Sequence, residues 1–309
     1  MKIRSMLLAT TLTMATGSAG LAAGCDKILF SDVGWTDITA TTAATTTLLN
    51  ALGYETEIML LGLPVTFASL AEGNIDVFLG NWMPTMEADI GPYREAGTID
   101  IVRTNLQGAK YTLATNAAGA ALGITDFANI KDHKDALEGR IYGIEAGNDG
   151  NRLIIEMIEK DQFGLTGFEI VESSEQGMLA QVERNSSDNK PIVFLGWEPH
   201  PMNSNFELTY LAGGDDVFGP DFGGAVVDTN TRKGYVQECP NQGKFLENLE
   251  FSLKMENEIM GAILNDGTDP AVAAKTWLAA NPEAWKPWLE GVTAKDGSDA
   301  IAAVEAGLK

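Results

Sequence analysis

One local pattern, written twice, constrains this chain more than any other feature. Phe78-Leu79-Gly80-Asn81-Trp82-Met83-Pro84 and Phe194-Leu195-Gly196-Trp197-Glu198-Pro199 each run a short apolar stretch into glycine, tryptophan and proline. Such a run bounded by turn residues reads as a buried strand. A tryptophan at its end projects beyond the strand instead of packing beneath it. Phe30-Ser31-Asp32-Val33-Gly34-Trp35-Thr36-Asp37 gives the same context a third time, without the proline. Two copies are too few for a repeat array, so the pattern predicts two similar α/β halves.

Between these motifs, short apolar runs alternate with amphipathic stretches, the signature of βαβ units on a parallel sheet. Strands are predicted over 27–30, 55–61, 75–79, 140–144 and 191–195, with extended segments over 99–103, 110–115, 169–172 and 208–211. Helices are predicted over 36–52, 65–72, 86–93, 125–129, 148–160 and 175–185. Residues 213–224 form a Gly- and Asp-rich connector, 225–229 a return crossing, and 243–265, 269–281 and 283–291 further helices. Lys110–Thr115 leaves the first half and 225–229 returns to it. The expected division is therefore one lobe of residues 24–113 and 225–309, and a second of 114–224.

Residues 1–23 read as a secretory signal peptide: Lys2 and Arg4, an apolar Met6–Leu12 stretch, then small residues ending in Ala22-Ala23. No later run approaches the length of a membrane span, so an exported, soluble, periplasmic protein is expected. The formal charge is −22, or −24 once Lys2 and Arg4 are set aside. That acidity excludes nucleic acid, whose phosphates demand a basic face, and is favourable to cationic solutes at long range. Adaptation to salty water is the favoured explanation for the bulk of the charge.

The two cysteines, Cys25 and Cys239, lie far apart in sequence. One disulfide is the simplest arrangement in an oxidising compartment. The competing arrangement is lipidation of Cys25, since Leu21-Ala22-Ala23-Gly24-Cys25 resembles a lipobox. Against it, leucine stands one residue too far from the cysteine, and lipidation orphans Cys239.

In open α/β sheets, ligands bind beyond the carboxyl ends of the strands. Trp35, Trp82 and Trp197 all fall there, and Tyr111, on the first crossing, is placed to supply a fourth wall. Converging indoles make a cage for a soft cation such as a quaternary ammonium group. Asp37 reads either as a helix cap or as a carboxylate facing that cation, and Asn148 either as a cap or as a ligand contact. Trp277, Trp285 and Trp288 sit among alanines and leucines and read as packing residues. Catalysis has little to work with: His133 and His200 lack partners at metal-ligand spacing, and no G-x-S-x-G, P-loop or G-x-G-x-x-G occurs. No metal and no cofactor is expected.

The three tryptophan motifs, together with Ala109-Lys110-Tyr111-Thr112-Leu113 and Gly147-Asn148-Asp149-Gly150, resemble the periplasmic choline-binding proteins. These belong to the glycine betaine/choline class of ABC-importer substrate-binding proteins. The likeness spans essentially the whole chain from Asp26. It implies a bilobed clamshell of type II with two crossing segments, acting as a monomer with a membrane ABC permease. It also implies an aromatic box of Trp35, Trp82, Tyr111 and Trp197, polar contacts from Asp37 and Asn148 near a choline hydroxyl, and a Cys25–Cys239 disulfide. The same box suits glycine betaine, trimethylamine N-oxide and sulfonium analogues. Choline is favoured because no arginine stands beside the aromatic motifs to meet an anionic end.

Overall fold

The computed structural model describes residues 24–309, so the expected signal peptide at 1–23 lies outside the described residues. Among the described residues there are nine strands: β1 (Lys27–Asp32), β2 (Glu55–Leu60), β3 (Val77–Met83), β4 (Ile99–Asn116), β5 (Arg140–Tyr142), β6 (Glu169–Val171), β7 (Val193–Glu198), β8 (Leu208–Tyr210) and β9 (Gly224–Arg232). They join into one sheet in the order β2-β1-β3-β9-β4-β7-β5-β6, with β8 added to β4.

The wholly parallel sheet expected from the alternation exists only at the two ends. There β1 pairs with β2 and β3, and β5 with β6 and β7, all in parallel. The middle is antiparallel, β9 lying between β3 and β4, and β4 also pairing with β7 and β8. The cause is topological. A parallel neighbour requires a crossover connection, usually a helix, whereas β4 leaves the first half and β9 returns to it by direct passage, side by side.

A second correction concerns β4. The segments expected at 99–103 and 110–115 are one continuous strand of 18 residues. Register shifts between Ile101/Arg103, Thr104/Leu106 and Leu106/Ala109 bend it, as bulges do, and so it serves both halves.

Six helices frame the sheet around the site: α1 (Thr36–Ala51), α2 (Leu63–Glu72), α3 (Glu87–Ala96), α4 (Ala117–Ala121), α5 (Asp149–Glu159) and α6 (Glu175–Ser187). α1 is buried on nearly every face despite its threonines. The Thr41 hydroxyl donates to Asp37 O at 3.1 Å and that of Thr46 to Thr42 O at 2.8 Å, one turn back. Those bonds spare the hydroxyls the cost of unpaired burial.

Three predicted helices differ. The one at 125–129 is a 3-10 segment, Phe127–His133, started by Asp126, which accepts from Ala128 N at 2.8 Å. The one at 243–265 is two helices, Pro240–Asn248 and Leu253–Leu264, because Phe251 N–H is drawn out to Asn105 O at 2.7 Å. The one at 283–291 is the short helix Pro282–Trp285 and a 3-10 turn, Lys286–Leu289. Pro287 has no N–H to continue the α pattern. A helix at Ala300–Gly307, capped by Asp299, was not foreseen.

Trp285 and Trp288 are buried, with indole N–H groups on Leu278 O at 2.9 Å and Glu250 O at 3.2 Å. Trp277 is only half-buried and donates to Glu258 at 2.7 Å. Cys25 and Cys239 form a disulfide across 214 positions, with Cα atoms 5.5 Å apart. Loop closure of that length contributes at most about 5 kcal/mol. Cys239→Ser is therefore expected to lower the melting temperature markedly, and reductant should lower that of the wild type alone. Equal melting with and without reductant would remove this role.

Candidate ligand-binding site

Each wall of the site is placed by local structure. At the end of β1, Asp32 accepts Gly34 N–H at 2.8 Å and the Thr39 hydroxyl at 2.7 Å. Gly34 takes a φ of +86° there, a conformation glycine adopts freely. The turn drops Trp35 at the first position before α1, buried to 5% exposure. Trp82 stands near the end of β3 and Trp197 near the end of β7. Each is followed by a cis peptide bond, Met83–Pro84 and Glu198–Pro199 respectively. Tyr111 on β4 lies directly opposite Trp197 in the ladder.

Asn148 caps α5: its Oδ1 accepts Asn151 N–H at 3.1 Å and also the Tyr111 hydroxyl at 3.0 Å. Asn148 is thus a cap, the first of its two sequence readings, and its Oδ1 also faces Tyr111. Gly150 makes the approach possible, since a Cβ there would lie 2.0 Å from the Tyr111 hydroxyl oxygen.

Trp35, Asp37, Trp82, Tyr111, Asn148 and Trp197 line one cavity, joined by Ile144 and Asp149, with about 270 Å³ of atom-free space. Tyr111 is its hub, with ring centroids 6.0 Å from Trp82 and 6.2 Å from Trp197, the latter nearly perpendicular at 83°. Trp35 is held by its indole N–H, which donates to Glu145 at 2.8 Å, and Trp82 by a bond to Asp37 Oδ2 at 3.1 Å. Asp37 is therefore no cap. It lies in the first turn of α1 with a carboxylate aimed at the cage.

Two buried acids line the cavity. Asp37 Oδ1 and Asp149 Oδ2 are buried with no hydrogen-bond partner. Burial, reinforced by the Glu175 carboxylate, pushes Asp37 up to about 8. Burial pushes Asp149 up to about 7, and the nearby Asp89 adds to it, against a hydrogen bond from Thr85. The Tyr111 hydroxyl is held well above its ordinary range by burial and by the Asp149 and Glu145 carboxylates. No lysine or arginine is among the lining residues.

The sequence reading missed Ile144, Asp149 and Glu145. Asp149 stood inside the Gly147-Asn148-Asp149-Gly150 motif, and its position in the first turn of α5 was the available signal. Glu145 carried none, because its partner Trp35 is 110 residues distant.

A bilobed type II α/β fold closed over a small aromatic, acid-lined cavity defines a solute-binding protein. Residues 26–280 match the family described as the substrate binding domain of ABC-type glycine betaine transport systems, OpuAC, and the chain belongs to that family. Its members act as the extracytoplasmic receptors of ABC importers. The chain is 68% identical to a solved ABC-transporter choline binding protein in complex with choline, over 92% of this chain and 99% of that one, with a TM-score of 0.91. A solved ABC-transporter choline binding protein in an unliganded semi-closed conformation is also 68% identical over the same shares, with a TM-score of 0.85. The conformation here is thus nearer to the liganded one. Glycine betaine/carnitine transport binding protein GbuC of Listeria monocytogenes is 32% identical over 190 residues, covering 61% of this chain and 60% of that one.

Proposed function

We propose that this protein captures choline between two lobes, residues 24–113 with 225–309 and residues 114–224, and delivers it to a membrane ABC permease. The trimethylammonium group sits among Trp35, Trp82, Tyr111 and Trp197, and the hydroxyl end points toward Asp37 and Asn148, with Asp149 beside them. One observation carries this reading: two buried acids, Asp37 and Asp149, each with one oxygen unpartnered, line an aromatic cavity without a cationic side chain. A cationic guest stabilises the ionised form of such acids. A glycine betaine carboxylate would instead meet like charge.

The magnitudes support a binder. Four desolvated cation–π contacts contribute about 2–8 kcal/mol before non-additivity. A ligand of choline's size is capped near roughly 10 kcal/mol, so micromolar affinity, about 8 kcal/mol, requires full enclosure. The role is binding without turnover, since the lining offers no serine, cysteine or histidine for nucleophilic attack. We place the working protein in the periplasm, exported through residues 1–23, where a Cys25–Cys239 bond persists.

Calorimetric titration of the protein without residues 1–23 tests the ligand. Choline is expected to bind at micromolar concentration and more tightly than glycine betaine or trimethylamine N-oxide. Heat from betaine and none from choline would overturn the ligand assignment while leaving the cage standing.

A further inference from the structure

α1 starts without a cap of its own. Trp35 occupies the N-cap position and offers no side-chain acceptor to the free N–H groups of the first turn. The cap comes instead from 139 residues away: Glu175 Oε2 accepts Thr36 N–H at 2.8 Å, and Glu175 Oε1 accepts the Thr36 hydroxyl at 2.5 Å. Glu175 is the first residue of α6.

The same carboxylate reaches a second wall. Glu175 Oε1 lies 3.1 Å from His200 Nε2. Met202 N–H donates to His200 Nδ1 at 2.9 Å, which leaves the ring proton on Nε2, so His200 donates to Glu175. The His200 ring meets the indole of Trp197 at 4.9 Å between centroids and 67° between planes. Glu175 and His200 are each 1% exposed and Thr36 4%. None of the three lines the cavity.

We propose that Glu175 is a closure latch, a positioning residue that caps α1 from the opposite lobe and fixes His200 against Trp197 once the cage shuts over its guest. The inference rests on the proposed choline capture and extends it to what holds the cage closed. With the lobes apart, Thr36 N–H and the Glu175 carboxylate each face water. Closure replaces that hydration by charge-assisted bonds in a dry site, where a carboxylate at a helix N-terminus is also favoured by the helix dipole.

The latch is conditional on charge. Asp32, Asp37 and Glu145 all feel the Glu175 carboxylate, which adds to the burial that holds each of them up. Arg152, on α5, is occupied elsewhere, with Asp89 and Thr85 O at 2.9 Å each. Closing an empty cage therefore crowds acids together, and a cationic guest relieves the crowding. Glu175 makes the shut state both tight and dependent on a positive ligand.

Stopped-flow binding with choline tests this. Two or three charge-assisted bonds formed only on closure predict that Glu175→Ala raises the dissociation rate by about 10- to 100-fold. The association rate should stay within about twofold, since affinity changes in related complexes fall mainly on dissociation. Thr36→Val, which removes one bond and keeps the carboxylate, is expected to give roughly a fivefold increase. Melting of the ligand-free variants should stay at the wild-type value, whereas a merely structural glutamate would lower it. An unchanged dissociation rate in both variants, or a fall in ligand-free melting with no change in rates, overturns the latch. The rates are read with whichever of choline, glycine betaine and trimethylamine N-oxide the wild type binds best. A wild type indifferent to choline thus sinks the ligand assignment and not the latch.

Discussion

Trp82→Ala is expected to weaken choline binding by at least about 2 kcal/mol, roughly thirtyfold in Kd. Trp82 does two things in the cage. It is one wall of the cavity in which we place the ammonium methyls, and its indole N–H is the partner of Asp37 Oδ2 at 3.1 Å. Removing the side chain deletes one cation–π contact, admits water and leaves both Asp37 oxygens without a donor. Trp82→Phe separates the two effects, because it keeps a π face and loses only the donor; its Kd should fall between the others. Calorimetry reads all three, and a Kd for the alanine variant within twofold of wild type would end the aromatic-box interpretation.

Choline affinity should also climb with pH between about 6 and 9. With the cage shut and empty, burial pushes Asp37 up to about 8 and Asp149 up to about 7, both far above the ordinary carboxylate range. A fixed positive charge in the cage favours their ionised forms, so binding below those values expels protons. Each carboxyl then weakens affinity by up to about tenfold per pH unit below its own value. Above about 8 the dependence should flatten.

The folding linkage has the opposite slope. A carboxyl whose folded pKa exceeds its unfolded value stabilises the ligand-free protein most at low pH. That contribution is lost as pH rises from about 4 toward 8, by up to about 1.4 kcal/mol per unit for each group. Choline should restore it. Titrations in buffers of different ionisation enthalpy measure the released protons, and Asp37→Asn should flatten the upper part of the profile. A pH-independent wild-type Kd would show that neither acid senses the guest.

What could be read from the sequence follows the range of the interactions. Trp35, Trp82, Tyr111 and Trp197 announced themselves because a strand, a turn and an aromatic are local features. Asn148 likewise signalled a helix start that exists, and its side chain caps that helix while also facing Tyr111. The antiparallel centre of the sheet was hidden, since the pairing of Lys110 with Gly224 depends on two segments more than a hundred residues apart. Glu145 and Glu175 were hidden for the same reason: each looks like an ordinary surface acid until its partner on the other half is in place. The helix break before Leu253 was set by Asn105 on β4, which no window around 250 contains.

The division of the tryptophans has an optical consequence. Trp35, Trp82 and Trp197 line the cavity, while Trp277, Trp285 and Trp288 are not among its lining residues. Half of the indole emission should therefore shift with occupancy and the other half form a constant background. Converting the C-terminal three to phenylalanine would leave a chain whose entire tryptophan fluorescence originates in the cage, turning the molecule into a label-free gauge of its own filling.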